Sequence, residues 1–241
     1  MNLIIDIGNT RIKVAVFQQY KLVETEIISN EELMITLKKV QKKFSLKNAI
    51  ISSVGKIKSK DIKALYTIQK VITLDHSVKL PFINKYKTPK TLGVDRIALV
   101  SAAVYQFPKK NVLIIDAGSC ITYDFVSSKK EYLGGAISPG INMRYRSLNH
   151  FTANLPKLEI SKFSLIGINT NQSIHSGIIN GTLHEINGVI AEYQDKYPNL
   201  TVVLTGGDTN FLAKKLKSSI FANPNFLLEG LNSILIHNID E

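Results

Sequence analysis

Apolar and polar positions along this chain fall into two similar series. An apolar run from Leu3 ends in Asp6 and predicts a buried strand over residues 3–6. From Arg11 to Phe17 the pattern alternates, with Ile12, Val14 and Val16 on one side, which predicts a half-buried strand. KLVETEIIS predicts a third strand. A helix is expected from Asn30, an acceptable N-cap, because Leu33, Leu37, Val40 and Phe44 recur at helical spacing. NAIISSV reads as a strand, KSKDIKALYTIQ as a helix and KVITLD as a strand, so the first series is βββαβαβ. KLPFINKYKTPKTLGVDR, rich in lysine and proline, predicts a loop. GVDRIALVSAAVYQF then predicts a helix with Ile97, Val100, Ala103 and Val104 on one face, ending before Pro108.

The second series opens as the first does. VLIIDAGS mirrors LIIDIGNT: an apolar strand, an aspartate, one residue, a glycine, then small polar residues. CITYDFV and EYLGGAIS predict the next two strands. Helices are expected over 143–151 and 171–193, a strand at TVVLTGG, a helix at DTNFLAKKLK and a last helix over 225–239. Asp6 and Asp116 therefore hold equivalent places, the mark of an internal duplication at domain scale. The expected division is an N-terminal domain, 1–107, and a C-terminal domain, 108–241.

Composition changes this picture little. With 44% hydrophobic and 20% charged residues, the 241-residue chain has an ordinary globular make-up. No apolar run approaches the ~18 residues of a membrane span. No basic segment precedes the first apolar run, which Asp6 interrupts, so no signal peptide is expected. Cys120 is the only cysteine, which excludes an intrachain disulfide and a multi-cysteine zinc site and fits a cytoplasmic location. The net charge of +11 admits nucleic acid as a partner, but the excess is nearly all lysine, spread over segments such as KKVQKK. Arginine occurs only at positions 11, 96, 144 and 146, so nucleic acid is disfavoured. Anionic small molecules such as nucleotides suit the charge equally well.

The candidate chemistry starts at the duplicated loops. A glycine after a strand leaves room for a phosphate to approach backbone N–H groups, Asn9 and Thr10 offer further donors, and Lys13 offers a point charge. Asp6 would repel a phosphate directly and makes sense beside one only with hydrated Mg2+ between them. A single Asp-Gly pair is also an ordinary tight turn. A second copy at Asp116, Gly118 and Ser119 favours a two-jawed clamp for the phosphates of a nucleotide. The P-loop pattern is absent. TGG at Thr205–Gly207 offers either a surface for an adenine or ribose or a plain strand-to-helix turn. Asp95 and Arg96, at a helix start, are either dipole compensation or a catalytic pair in which the carboxylate takes a hydroxyl proton and the guanidinium holds an anion. GGAISPG must pass close to other backbone or a ligand, or else bend before the next helix. The five histidines show no metal-binding spacing, and Cys120 reads as packed rather than reactive. No GxSxG element is present.

DIGNTRIK, Tyr86 and Pro89 ahead of LGVDR, DAGSC, GGAISPG, TANLP, SIHSG and TGGD occur in the order seen in type III pantothenate kinases, which the chain resembles over nearly its whole length. The resemblance implies an α/β fold of two duplicated actin-like (ribonuclease H-like) βββαβα domains with an interdomain cleft. It implies ATP-dependent phosphorylation of pantothenate, the first step of coenzyme A biosynthesis. Carried over by position, Asp6, Ile7, Gly8, Asn9, Thr10, Arg11, Ile12 and Lys13 would hold ATP, with Mg2+ bound to Asp6 through water. Ser119, where threonine is usual, would also contact ATP. Asp95 would be the general base. Tyr86, Gly93, Val94, Asp95, Arg96 and Thr170 would bind pantothenate, with Arg96 on its carboxylate. Asp116 would hold a monovalent cation, K+ or NH4+. A homodimer with the substrate site completed across its interface is implied as well. Cys120, Ile121 and Ala15 depart from the usual residues without removing a needed charge. Two alternatives are a kinase of the same fold acting on another small hydroxyl or carboxylate acceptor, and a transcriptional accessory or regulatory relative. The Tyr86–Arg96 segment argues against the first, and the presence of Asp6, Asp95 and Asp116 together argues against the second.

Overall fold

The computed structural model describes residues 1–8, 11–53, 65, 67–216 and 218–239. The predicted phosphate contacts Asn9 and Thr10 lie outside these residues, as do eight of the twelve residues of the helix expected at KSKDIKALYTIQ. The chain forms two compact units: residues 1–108, 130–132 and 225–241, and residues 109–129 and 133–224.

The first unit is built on a five-stranded sheet. Its strands are β1 (Asn2–Ile7), β2 (Ile12–Gln18), β3 (Lys21–Ile28), β4 (Asn48–Ser53) and β5 (Lys70–Thr73), in the order β3-β2-β1-β4-β5. β2 lies antiparallel between β1 and β3, while β4 runs parallel to β1 and β5. On one face, Leu3, Ile5, Ile12, Val14 and Val16 pack with Leu33, Leu37 and Val40 of helix α1 (Leu33–Lys43). The other face carries helices α2 (Val94–Gln106) and α6 (Phe226–His237). Burial on both faces explains why β1 reads as an unbroken apolar run. It also corrects the half-buried reading of β2, since Ala15 and Phe17 are as buried as Val14 and Val16.

The helices need the same correction. α2 was expected to bury one face, but it is buried continuously from Arg96 to Val104. α6 is buried at almost every position, and Gly230 lets it approach α2 closely: a Cβ there would lie 1.9 Å from the Ala98 carbonyl oxygen. Asn232 of α6 donates to the Gln19 carbonyl at 2.7 Å and accepts from Asn2 Nδ2 at 3.0 Å. α1 starts at Leu33 rather than Asn30 because Glu32 folds back to accept from the Ser29 N–H at 2.7 Å and the Ser29 hydroxyl at 2.8 Å.

The second unit repeats the plan. Strands β7 (Val112–Ala117), β8 (Cys120–Val126), β9 (Glu131–Pro139), β10 (Thr201–Thr205) and β11 (Phe221–Ala222) follow the order β11-β10-β7-β8-β9. This is the same arrangement as β5-β4-β1-β2-β3, with the same strand senses where β7 meets its two neighbours. Helices α3 (Ile141–His150) and α4 (Thr170–Lys196) cover one face, burying Ile141, Tyr145, Ile174, Ile178, Ile179 and Ile186 against Leu113, Ile115 and Leu204. Asn169 caps α4, its side chain accepting from the Gln172 N–H at 3.0 Å. Helix α5 (Thr209–Ala213) is shorter than the expected DTNFLAKKLK. Two short strands escaped the sequence reading, β11 and β6 (Ile83–Asn84). The latter pairs in parallel with Glu131 and Tyr132, the two β9 residues that belong to the first unit. Among the described residues no helix is long and apolar enough to cross a membrane.

Candidate active site

In the first unit the antiparallel register sets Lys13 directly across from Asp6, and Ser52 stands beside Asp6 on β4. Where β1 and β2 part, the Gly8 N–H donates to the Arg11 carbonyl at 3.1 Å. Burial pushes the Asp6 carboxyl up to about 6. Lys13 opposes that rise, the negative charge of Asp95 adds to it, and the Ser52 hydroxyl opposes it. Asp6, Lys13 and Asp95 therefore share one electrostatic environment, although 81 residues separate Lys13 from Asp95 in the chain. Among the described residues no cluster of three or more metal-ligating side chains occurs.

Asp95 lies in the first turn of α2, where its Oδ1 accepts from the Arg96 N–H at 2.9 Å. The preceding Gly93 explains the GVDR pattern, because a Cβ at Gly93 would sit 2.2 Å from Asp95 Oδ1. Arg96 is only 5% exposed, and its guanidinium carbon lies 5.7 Å from the centre of the Tyr86 ring. The loop reading of residues 79–96 thus missed how firmly Tyr86 is placed. Its N–H donates to Asn84 Oδ1 at 3.0 Å, and its ring stacks on Tyr132 at 6.0 Å. Val94 is half-buried beside Asp95.

In the second unit Asp116 ends β7, in register with Thr205. Gly206, at φ +97°, turns the chain next to it: a Cβ there would lie 2.3 Å from both Asp116 Oδ1 and the Ala117 carbonyl oxygen. The GGAISPG strand makes the close approach expected of it, since a Cβ at Gly140 would lie 2.2 Å from the Gly118 carbonyl oxygen. The two duplicated loops are not equivalent. Four residues separate the last paired positions Ile7 and Ile12, but three separate Ala117 and Ile121, and Thr122 stands across from Asp116 where Lys13 stands across from Asp6. Ser119 is exposed at the tip, and Thr170 is the exposed first residue of α4.

Asp208 is a carboxylate the sequence reading passed over. Burial raises its pKa, and its N–H donates to the Ala117 carbonyl at 2.9 Å. The aspartate after TGG was its only sequence signal. Ser52 and Tyr132 left none, because each is one ordinary residue in a strand.

Residues 2–192 match the family model for type III pantothenate kinase. The chain belongs to this family. A type III pantothenate kinase from Christiangramia forsetii is 52% identical over 240 residues, covering 99% of each chain. Kinase chemistry follows from membership of the type III family, and the shared fold is wider than the family. A Campylobacter jejuni protein assigned to the Baf family of transcriptional activators superposes with a TM-score of 0.66 at 22% identity, covering 99% of this chain and 100% of its own. An activator of 2-hydroxyisocaproyl-CoA dehydratase from Clostridium difficile, with bound ADPNP, gives 0.55 at 12% identity over 99% and 94%. These two structures support the duplicated actin-like fold of the type III enzymes and nothing about the substrate.

Proposed function

We propose that this chain transfers the γ-phosphoryl group of ATP to the primary hydroxyl of pantothenate, giving 4'-phosphopantothenate for coenzyme A biosynthesis. The observation that carries this reading is the convergence of Asp6, Lys13 and Asp95 on one electrostatic environment, with buried Arg96 on the same helix as Asp95. Asp95 takes the proton of the attacking hydroxyl, a role that typically accelerates such reactions by ~10²–10⁴-fold. Arg96, backed by Tyr86, holds the acceptor's carboxylate, and Gly93 and Val94 shape the approach to Asp95. Asp6, Ile7, Gly8, Arg11, Ile12 and Lys13 form the first phosphate loop, with Asn9 and Thr10 completing it. Ser119 contributes from the second loop and Thr170 contacts the acceptor.

The residues fit a Mg2+ ion that arrives with the phosphates. One or two carboxylates, not a full protein cage, are what such an ion uses, and Asp6 is costly to ionise without a cation beside it. Bound there, through water, Mg2+ would offset charge on the transferring phosphoryl group. Asp116, held by the Gly206 turn, fits a monovalent cation such as K+ or NH4+. We assign the active form as a cytoplasmic homodimer, following the family resemblance.

ADP release measured with ATP, Mg2+, K+ and pantothenate, omitting each in turn, tests the proposal. Turnover should require all four. Turnover only with glucose or acetate as acceptor refutes the substrate assignment. Salt-sensitive binding to random DNA with no turnover refutes the enzymatic reading.

A further inference from the structure

We infer that Tyr132 is a positioning residue for the acceptor subsite, fixing through Tyr86 the surface on which the Arg96 guanidinium lies. The inference rests on the proposed roles of Tyr86 and Arg96 in binding pantothenate.

β6 has only two residues, too few to hold a conformation by themselves. The segment is fastened by β9 instead. The Ile83 N–H donates to the Lys130 carbonyl at 2.8 Å, and the Lys85 N–H donates to the Tyr132 carbonyl at 3.0 Å. Lys85 Nζ adds a contact with Glu131 at 3.7 Å. Between these bonds the Tyr132 ring is wholly buried, with Phe82 edge-on at 6.1 Å and Tyr86 stacked at 6.0 Å.

The order of contacts is what makes Tyr132 more than core filling. Tyr86 is half-buried, flanked by exposed Lys85 and Lys87, and it has Arg96 on its ring. Tyr132 and the Asn84 side chain are thus two supports for the plane of Tyr86, one through its ring and one through its backbone. Recognition of a carboxylate by a guanidinium fork depends on orientation as well as charge. Loss of the backing ring leaves the charge of Arg96 in place but removes one restraint on its orientation, which weakens binding of the acceptor and leaves ATP unaffected.

The test compares Tyr132→Leu, Tyr132→Phe and Asn84→Ala in the full chain. KM for pantothenate and for ATP are measured, together with the NMR signal of the Arg96 Nε–H group, assigned with Arg96→Lys. Tyr132→Leu should raise the pantothenate KM roughly 3–10-fold, the worth of one aromatic pair. The ATP KM should hold, and the Arg96 signal should move as the Tyr86 ring shifts. Tyr132→Phe, which keeps the ring, should restore both. Asn84→Ala removes the second support without touching the core, and should raise the pantothenate KM even if Tyr132→Leu does not fold. An unmoved Arg96 signal and unchanged pantothenate KM in Asn84→Ala and in folded Tyr132→Leu overturn the inference, as does an equal rise in both KM values. A moved signal with unchanged pantothenate KM in an active enzyme upholds the positioning and removes Arg96 from the acceptor site.

Discussion

Replacing Asp6 with asparagine should make the ligand-free protein more stable while disabling it. The Asp6 carboxyl is raised from 3.8 to about 6, first by burial and further by the charge of Asp95. Because the folded pKa lies above the unfolded one, the folded state holds the proton longer. The stability this group contributes is fully present below pH 3.8 and is lost as pH rises through about 6. At about 1.36 kcal/mol per pKa unit, ionised Asp6 costs the ligand-free fold about 3 kcal/mol at pH 8, with the attraction of Lys13 already counted. An asparagine side chain does not ionise and avoids that cost. For a chain of this size about 1 kcal/mol corresponds to ~2–4 °C in Tm, so a gain of up to about 10 °C is expected. Thermal melts followed by circular dichroism, without ATP or Mg2+, at pH 4 and pH 8 would measure it. The variant should melt well above the native chain at pH 8 and alongside it at pH 4, and its Mg2+-dependent turnover should collapse. If it melts no higher than the native chain at pH 8, the electrostatic account of this site is wrong.

Asp95→Asn should lower kcat by ~10²–10⁴-fold while the chain still folds cooperatively, and steady-state kinetics with a melt will show whether the two separate. Gly93→Ala should lower kcat by roughly 10²-fold, because its Cβ would meet Asp95 Oδ1 at 2.2 Å and move the carboxylate, which the same assay reads. Arg96→Lys should raise the pantothenate KM by roughly 10-fold or more, since a lysine keeps the charge but loses the fork and the ring contact. In the second unit, Arg144 bonds Glu185, with Ser138 at 3.0 Å, and Glu185 accepts from the Tyr123 hydroxyl at 2.8 Å. Burial opposes ionisation of Glu185, but Arg144, Tyr123 and Ser138 outweigh it and lower its pKa, so this stabilisation is present above the ordinary value of 4.5 and lost as pH falls below it. Arg144→Ala should therefore cost about 1–2 kcal/mol in urea unfolding at pH 7 and much less near pH 3.

Much of this was legible because local pattern and tertiary demand agree. Apolar runs ending in an aspartate, with a glycine two residues on, gave β1 and β7, and their repetition revealed the duplication. What pattern could not reveal was the second layer. The alternation in β2 implied one buried face, but α6 packs against β2 as well, and Ala15 and Phe17 are buried. β6 and β11 have two residues each, too short for any period to register. In the site, Asp6, Lys13, Asp95 and Arg96 stood out by residue type and spacing. Ser52 and Tyr132 did not, because their importance lies in which residue each one stands beside.

The last helix of the chain belongs to the first unit, and this bears on the order of events during synthesis. A ribosome releases β1, β4 and α2 early, yet the face of the sheet holding Ile4 and Ile50 has no α6 to cover it until residues 226–237 emerge. The second unit, which ends at Pro224, is by then complete. The half made first is therefore finished last. The helix carrying Asp95 gains its Gly230 contact only after the second unit has emerged, so a nascent chain halted before α6 would carry the proposed phosphate loop on an unfinished support.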